Sequence, residues 1–223
     1  EVIWRAPLGD YHPAPILVQN DDAIIESPDA CGLHLVPPDR RDPMQIDTFG
    51  VGQLIRAAGR LPVKRVIVGL GGSATVDGGI GMAAALEGVA ITPRVVALAD
   101  VDTVMLDAAR VFGPQKGATP EQVQMLEAAL AKLIELTGLP DFPGAGAAGG
   151  LAYGLRAFLD AQVVPGSSWV MRATGLPQKL PAARIVVTGD PGPGSSNDPY
   201  RQINTSVFAP PRPGRWCSSS AAW

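Results

Sequence analysis

The sequence predicts an α/β fold in which helices flank a largely parallel sheet. Short apolar runs typical of strands alternate along the chain with longer segments of helical periodicity. The clearest strand, at residues 64–70, runs directly into a glycine-rich loop and then into an apolar segment that suits a helix. With 223 residues, the chain is long enough to bury a substantial core. We therefore expect strand–loop–helix units that share one sheet.

Composition and charge narrow the class of protein. Hydrophobic residues make up 46% and charged residues 17% of the chain, which is typical of globular proteins. The net charge of −3 comes without a basic cluster, so nucleic acid is not an expected partner. No apolar run reaches the roughly 18 residues of a membrane span, and no signal peptide is visible at the N-terminus. Cys31 and Cys217 lie far apart without partners at metal-ligand spacing, which favours a reducing, cytoplasmic location.

The chain before the glycine loop contains two elements with clear sequence signals. Residues 23–26 form a short apolar run that indicates a strand. Residues 48–60 carry apolar side chains at helical spacing, and Thr48 is placed to cap the N-terminus of that helix. Two other segments are predicted to be irregular: residues 1–22 and the proline-rich residues 28–43. Within the first of them, a short strand is predicted at residues 16–18.

The chain after the glycine loop contains the strongest helix signal in the sequence. Thr119 and Gln122 form a predicted capping box around Pro120, which stands at the first helical position. Gly138 is predicted to end this helix. The other predicted elements are helices at 79–86 and 151–159, strands at 95–99, 168–171 and 184–188, and glycine-containing loops at 111–118 and 140–150.

The glycine loop itself carries residues suited to anion binding. Gly71 and Gly72 permit positive φ and let a ligand approach the backbone closely. Unpaired N–H groups at the start of the next helix favour a phosphate or a carboxylate. The hydroxyls of Ser73 and Thr75 can add donors, and Asp77 is a candidate proton acceptor or Mg²⁺ ligand. An alternative role for Asp77 is to cap the helix that follows it.

Three other positions are candidates for the same site. Lys116 stands in a tight loop, where it is either a phosphate-binding cation or a solvated surface charge. Asp100 and Asp102 follow a predicted strand, at the edge where ligands bind in open α/β sheets, and they either hold Mg²⁺ or occupy a turn. Gly144 and Gly146 either form a second anion cradle or allow close packing of a helix.

Three motifs occur in order along the chain: GLGGSATVDGGIGM, ARVFGPQKGATPE and FPGAGAAGGLAYGL. They follow a further segment, IIESPDACGLHLVPPDRRDP, and together the four cover roughly residues 23–160. These segments resemble the type I glycerate kinase family. The resemblance implies transfer of the γ-phosphoryl group of ATP to D-glycerate, giving 2-phosphoglycerate, with Mg²⁺, in a cleft between two α/β domains.

With the resemblance added to the local chemistry, a role is expected for each candidate residue. Asp77 and Lys116 are expected to be catalytic, and Asp100 and Asp102 are expected to hold Mg²⁺. The residues expected to bind substrate and phosphate are Gly71, Gly72, Ser73, Thr75, Gly78, Gly144 and Gly146.

The chain departs from the family pattern at both ends. It does not show the family's first strand or its serine- and lysine-containing loop, and residues 188 and 189 do not continue into the family's acidic C-terminal site. We therefore expect a shortened α/β core at residues 1–189 and an irregular or disordered tail, rich in Pro, Gly and Ser, at residues 190–223. A shortened core would expose apolar surface, so self-association is also expected.

Two other functions fit parts of the pattern. A catalytically inactive remnant would keep the glycine loops as structure and bind only a small anionic ligand. Residues 69–74 also fit the G-x-G-x-x-A fingerprint of a dinucleotide-binding oxidoreductase, although Asp100 comes later than the acidic residue that this fingerprint requires. Turnover of ATP with D-glycerate would separate the kinase from both alternatives.

Overall fold

The computed structural model describes residues 2–183, in which helices pack against a five-stranded sheet and a separate two-stranded sheet lies at the N-terminus. The strands are β1 (Val2–Arg5), β2 (Tyr11–Ala14), β3 (Leu17–Gln19), β4 (Asp22–Glu26), β5 (Arg65–Gly69), β6 (Arg94–Leu98) and β7 (Gln162–Val164). The helices are α1 (Pro28–Cys31), α2 (Phe49–Ala58), α3 (Ile80–Ala85), α4 (Ala108–Phe112), α5 (Pro120–Thr137), α6 (Ala147–Leu159), α7 (Gly166–Ala173) and α8 (Leu176–Lys179). No helix within residues 2–183 is long and apolar enough to cross a bilayer.

The five-stranded sheet confirms the predicted α/β class. Its strand order is β3-β4-β5-β6-β7; β3 pairs antiparallel with β4, and every other pair is parallel. Val66 of β5 pairs with Ala23 of β4 and with Val95 of β6, which places β5 at the centre. Central parallel strands are covered on both faces, so an apolar run such as that of β5 is expected there. The carboxyl ends of β4 to β7 therefore meet along one edge of the sheet.

Two apolar clusters fix the helices around the sheet. The larger contains core residues of β4, β5, β6, α2 and α6, with Leu54, Val66 and Leu151 among its fully buried side chains. The second lies between α4 and α5 and includes Tyr153 of α6 and Val76 of the glycine loop. Burying one large apolar side chain contributes about 1.5–3 kcal/mol. The clusters therefore fix both the sheet and the loop that leaves β5.

Several local predictions are confirmed. The predicted helix at 48–60 is α2, and the strands predicted at 23–26, 64–70 and 95–99 are β4, β5 and β6. The capping box at the start of α5 is present, since Gln122 N–H donates to Thr119 Oγ1 (3.2 Å) and Thr119 N–H donates to Gln122 Oε1 (2.9 Å). Gly138 ends α5 with φ +67°, the left-handed conformation that glycine adopts without a steric penalty.

The strand predicted at residues 168–171 is wrong, because this segment lies in helix α7. Residues 162–164 form the edge strand β7, which the sequence analysis missed. Both errors have one cause: an apolar run of three or four residues has too few positions to distinguish a strand period from a helix period. Pro165 separates the two elements, because it ends the strand and stands at the N-cap of α7.

Three segments predicted to be irregular or loops contain regular structure. Within residues 1–22, β1 and β2 pair antiparallel, with Trp4 opposite His12. Residues 28–43 include α1 and two 3₁₀ turns, and the predicted loop at 111–118 contains the end of α4 and a 3₁₀ turn. Prolines obscured the first two segments, yet a proline at the first position of a helix or in an edge strand is compatible with that element. The strand predicted at 184–188 and the tail at 190–223 lie outside the described residues.

Candidate functional site

The glycine-rich loop leaves β5 at the carboxyl edge of the parallel sheet. Its backbone is joined to the turn after α1, because Leu33 N–H donates to Gly72 O (2.9 Å) and Ala74 N–H donates to Cys31 O (2.6 Å). Two of its side chains, Ala74 and Val76, are buried in different apolar clusters. The loop is therefore fixed by hydrogen bonds on one side and by packing at two points.

The turn at Gly71 and Gly72 is the exposed part of this loop. Among residues 2–183, neither glycine N–H has an acceptor. A Cβ placed on Gly71 would meet no atom within 4 Å, so open space borders the backbone there. Gly72 has φ +68°, a left-handed conformation that favours glycine. Two unpaired N–H donors beside open space are suited to the oxygens of a phosphate.

The two hydroxyls of the loop face the protein interior. Ser73 is only 3% exposed, and its Oγ accepts a hydrogen bond from Lys116 Nζ (2.9 Å). Thr75 is fully buried, and its Oγ1 donates to Ala148 O (3.4 Å). Both side chains were candidates to contact a ligand directly. The structure instead places them where they hold the shape of the exposed turn.

Lys116 is buried beneath the glycine loop. Its Nζ donates to Ser73 Oγ and to Thr75 O (2.7 Å), and it lies 5.7 Å from the centre of the Phe112 ring. Burial lowers the pKa of this amine to about 8, and the nearby side chains of Cys31 and Asp77 oppose the shift. The interpretation of Lys116 as a solvated surface charge is therefore wrong, because the side chain is buried. The side chain is an internal cation that braces the loop.

The lowered pKa of Lys116 predicts a specific pH dependence of stability. The folded chain releases this proton near pH 8, whereas the unfolded chain keeps it up to its ordinary pKa of 10.5. Between these values the unfolded state binds more protons, so the free energy of unfolding gains up to about 1.4 kcal/mol per pH unit. Burial also raises the pKa of the Cys31 thiol from 9.0 to about 12. Above about pH 9 the folded state therefore keeps a proton that the unfolded state loses, and this lowers the free energy of unfolding as the pH rises. The informative window is therefore between about pH 8 and about pH 9.

Denaturant unfolding across this window tests the prediction. We expect the free energy of unfolding to rise more steeply with pH in the wild-type chain than in Lys116→Met. The matched control is Lys132→Met, which removes an exposed lysine paired with Glu135 and should keep the wild-type slope. Equal slopes in the wild-type chain and in Lys116→Met would contradict the assignment.

Asp77 links the glycine loop to α2 and α3. Its Oδ2 accepts from Thr48 N–H (2.9 Å), Thr48 Oγ1 (2.7 Å) and Gly81 N–H (3.1 Å), and its Oδ1 accepts from Gly79 N–H (3.1 Å). Withdrawal from water raises the pKa of the carboxyl, and these hydrogen bonds oppose the shift. The contacts are those of the capping role considered for Asp77. Thr48 stands at the N-cap of α2, as predicted, but its hydroxyl forms no hydrogen bond with that helix and instead donates to this carboxylate, a stronger acceptor than a neutral one.

Asp100 and Asp102 follow β6, at the predicted edge of the sheet. Both oxygens of Asp100 accept from Ser167 N–H (3.0 and 3.2 Å), so this carboxylate anchors the start of α7, where negative charge is favourable. Asp102 is exposed. Within residues 2–183, no three acidic, His or Cys side chains form a group suited to a metal ion. A Mg²⁺ ion at this edge would need substrate oxygens as additional ligands.

The glycines of the third motif allow close packing against the site. Gly146 N–H donates to Thr103 O (2.9 Å), and Gly144 adopts φ +88°. Gly149 lies directly against the glycine loop: its carbonyl accepts from Gly78 N–H (3.1 Å), and a Cβ on it would overlap the loop backbone. Gly78 is buried in this contact, so its N–H is already used. The first and third motifs are therefore parts of one packed unit.

Glu26 is a candidate that the sequence analysis did not identify. It is the last residue of β4, and its carboxylate lies against Gly69 at the end of β5, where a Cβ would overlap Oε2. Burial and, to a smaller extent, the nearby Asp29 raise the pKa of this carboxyl. An acidic residue at the end of a predicted strand was a visible signal. Its position beside β5 follows from the order of the strands in the sheet, which could not be derived from the sequence.

Comparisons with known proteins agree with these features. The sequence profile described as the glycerate kinase family matches residues 1–94 and 88–192. A glycerate kinase of Halalkalibacterium halodurans is 37% identical over 83% of the chain, and a glycerate 2-kinase of Escherichia coli is 33% identical over 82%. A crystal structure from Salmonella typhimurium that carries the name glycerate kinase 2 superposes with a TM-score of 0.74 at 34% identity, over 82% of the chain.

These matches cover most of this chain but only part of each relative. The chain spans about 60% of the length of each of these relatives. The matched residues include the glycine loop, Lys116 and the third motif, and the kinases named among the relatives do not favour the dinucleotide-binding alternative. By the family match and by the identities over most of its length, this chain belongs to the glycerate kinase family.

Proposed function

We propose that this chain carries the phosphate-binding part of a glycerate kinase, which transfers the γ-phosphoryl group of ATP to D-glycerate and gives 2-phosphoglycerate. The observation that carries the proposal is the exposed turn at Gly71 and Gly72, whose N–H groups have no acceptor within residues 2–183 and which directly precedes Ser73, a hydrogen-bond partner of the buried amine of Lys116. Phosphoryl transfer needs positioned donors and positive charge around the phosphate oxygens. Family membership supports the reaction, and this geometry supports the location.

In this proposal the exposed turn holds phosphate oxygens. The N–H groups of Gly71 and Gly72 donate to them, and the open space beside Gly71 accommodates the phosphate itself. Lys116 acts from beneath as a positioning residue, because its hydrogen bonds to Ser73 and Thr75 fix the loop. Donors that are already oriented stabilise developing charge without reorganising during the reaction.

A proton acceptor for the glycerate hydroxyl is the second requirement. Asp77 is the residue predicted for this role, but four donors already occupy its oxygens. Glu26 lies at the same edge of the sheet and, within residues 2–183, no hydrogen-bond donor pairs with its carboxylate. The raised pKa of Glu26 makes its carboxylate a stronger base than an ordinary glutamate, which favours proton acceptance. We therefore propose Glu26 as the acceptor and Asp77 as a positioning residue.

Mg²⁺ is expected with ATP, because a divalent cation neutralises charge on the phosphate oxygens. Of the two residues predicted to hold it, Asp102 is the better candidate, since it is exposed and no donor in the described part of the chain pairs with its side chain. Asp100 is less suited, because both of its oxygens accept from Ser167 N–H.

A coupled assay on the purified chain tests the proposed reaction. ADP release is measured with ATP, Mg²⁺ and D-glycerate, and the product is identified by ³¹P NMR. We expect ADP release to depend on D-glycerate and the product to be 2-phosphoglycerate. ATP binding without glycerate-dependent ADP release, in a chain shown to be folded by circular dichroism, would favour the anion-binding remnant instead.

We also propose that the chain self-associates and acts in the cytoplasm. Leu17 and Val18 of the edge strand β3 are 58% and 51% exposed, and an exposed apolar edge strand is a surface on which copies of a chain can pair. Light scattering tests the first point, and a monodisperse monomer would contradict it.

The buried free thiol of Cys31 fits a reducing compartment, which supports the proposed location in the cytoplasm.

A further inference from the structure

His34 is an exposed side chain that the proposed function does not use. It is the middle residue of a 3₁₀ turn, Leu33–Leu35, which follows α1. Within residues 2–183, its ring forms no hydrogen bond and no ion pair. An imidazole carries at least one N–H donor in either protonation state. His34 therefore holds a donor that the described part of the protein does not use, and its position in the fold indicates an acceptor.

The segment that carries His34 is hydrogen-bonded to the glycine loop. Leu33 N–H donates to Gly72 O (2.9 Å). Gly32 pairs with Ser73 in an isolated antiparallel bridge. These contacts join the two residues that precede His34 to the exposed turn and to the residue that follows it. A ligand on the exposed turn therefore lies beside the segment that carries the imidazole.

Gly32 makes room for the imidazole ring next to this turn. A Cβ placed on Gly32 would lie 2.6 Å from Cε1 and from Nδ1 of His34, so the ring occupies the space that a side chain would fill. The same Cβ would overlap Pro28 O, which places the ring beside Pro28. Pro28 also borders the exposed turn, because its Cβ lies 3.7 Å from a Cβ placed on Gly72. The ring and the exposed turn are thus neighbours of the same residue.

The side chains that follow the exposed turn already use their donors within the protein. Lys116 Nζ is buried and donates to Ser73 Oγ and to Thr75 O. The Thr75 hydroxyl donates to Ala148 O. A transferred phosphoryl group carries charge on three oxygens, and backbone N–H groups of a single turn approach it from one direction. An exposed donor beside the turn, such as His34, is suited to the oxygens that point away from the backbone.

We propose that His34 binds the phosphate held at the exposed turn, by donating a ring N–H to one of its oxygens. His34 is then a side-chain contact for the phosphate chain of ATP, in addition to the backbone donors of Gly71 and Gly72. A hydrogen bond to a charged acceptor is stronger than one to a neutral acceptor, so a single contact has a measurable effect on affinity. The inference rests on the proposed function for the presence of a phosphate at the turn.

Proton NMR with inorganic tripolyphosphate, which presents the phosphate chain of ATP without its base, tests the contact. The chain contains two histidines, so two sets of imidazole C–H signals are expected, and His34→Ala and His12→Ala assign them. His12 is the matched control, because it is also exposed but lies on β2, opposite Trp4. At constant pH and ionic strength, we expect tripolyphosphate to shift the His34 signals in a saturable manner and to leave the His12 signals in place.

Calorimetric titration with tripolyphosphate measures what the contact contributes to affinity. We expect His34→Ala to bind about tenfold more weakly than the wild-type chain, the scale of losing one hydrogen bond to a charged group. His34→Gln should recover most of this loss, because its amide restores an N–H donor. His12→Ala should match the wild-type chain. Melting temperatures should stay unchanged in all three variants, because the replaced side chains are exposed.

The outcomes separate this inference from the kinase proposal. If the wild-type chain shows glycerate-dependent ADP release while His34→Ala binds tripolyphosphate as tightly as the wild type, the inference is overturned and the kinase proposal stands. If tripolyphosphate binding depends on His34 but no glycerate-dependent turnover occurs, the inference is supported and the kinase proposal fails. Equal shifts of the His34 and His12 signals, or absence of tripolyphosphate binding to the wild-type chain, also overturn the inference.

Discussion

Lys116→Met is expected to lower glycerate-dependent turnover by about 100-fold or more, the effect of misplacing preorganised donors. The variant removes the donor to Ser73 Oγ and Thr75 O, which belong to the residues that follow the exposed turn in the same loop. Leaving two buried acceptors without a donor costs roughly 1–3 kcal/mol each. Methionine fills a similar volume beside Phe112 and removes the cost of burying a charge, so we expect the net loss of stability to stay near 1–3 kcal/mol.

The size of the turnover loss relative to the stability loss identifies the role of Lys116. We would measure kcat, KM for ATP and the free energy of unfolding in Lys116→Met and in the surface control Lys132→Met. The expected pattern is a folded Lys116→Met chain with greatly reduced turnover and a control that matches the wild type. Turnover within about threefold of the wild type would correspond to a change of less than about 1 kcal/mol in the activation free energy. That result would show that the loop keeps its shape without this cation.

Asp77→Asn is expected to destabilise the chain by about 3 kcal/mol, because hydrogen bonds to a charged acceptor contribute roughly 1.5–3 kcal/mol each. Asparagine offers one acceptor oxygen where four donors converge, and its amide N–H₂ would face N–H groups. The start of α3 and the contact with Thr48 should both loosen. Turnover is therefore expected to fall together with stability, measured by denaturant unfolding and the coupled assay.

The pH profile separates positioning from proton transfer. If Glu26 accepts the proton, Glu26→Gln should abolish the acidic limb of the kcat profile while the stability changes little, since this side chain is only partly withdrawn from water and accepts no hydrogen bond within residues 2–183. Asp77→Asn should keep the acidic limb of the profile, with a lower kcat at every pH. The surface control is Asp107→Asn, which removes only an exposed pair with Arg110. Loss of the limb in Asp77→Asn alone would return the catalytic role to Asp77.

Local signals made much of the fold predictable. Thr119, Pro120 and Gln122 determine the start of α5 through contacts among near neighbours, so the sequence was sufficient to place it. The apolar run of β5 similarly predicted a buried central strand. In contrast, β7 and α7 depend on packing against β6 and on Asp100, which sequence periodicity does not report. Short elements at the edge of a sheet take their structure from tertiary contacts.

The site was predictable in its location and less so in its internal arrangement. The position of Gly71 and Gly72 between a strand and a helix follows from local pattern alone. The contacts that define Lys116 and Asp77 join residues 43 and 29 positions apart in sequence, so the direction of each side chain could not be derived from it. The inward direction of Ser73 and the contact of the Thr75 carbonyl likewise depend on Lys116, because a buried lysine needs acceptors of its own.

Gly71→Ala tests whether the backbone at Gly71 binds a phosphate. The added Cβ meets no atom within 4 Å, so the fold should tolerate it and the melting temperature should stay unchanged, whereas a bound phosphate would meet the new methyl group. Calorimetric titration with ATP and Mg²⁺ is the measurement. We predict about tenfold or greater loss of ATP affinity, the scale of losing one hydrogen bond to a charged group. Equal affinity for ATP in Gly71→Ala and the wild-type chain would show that the backbone at Gly71 does not bind the phosphate.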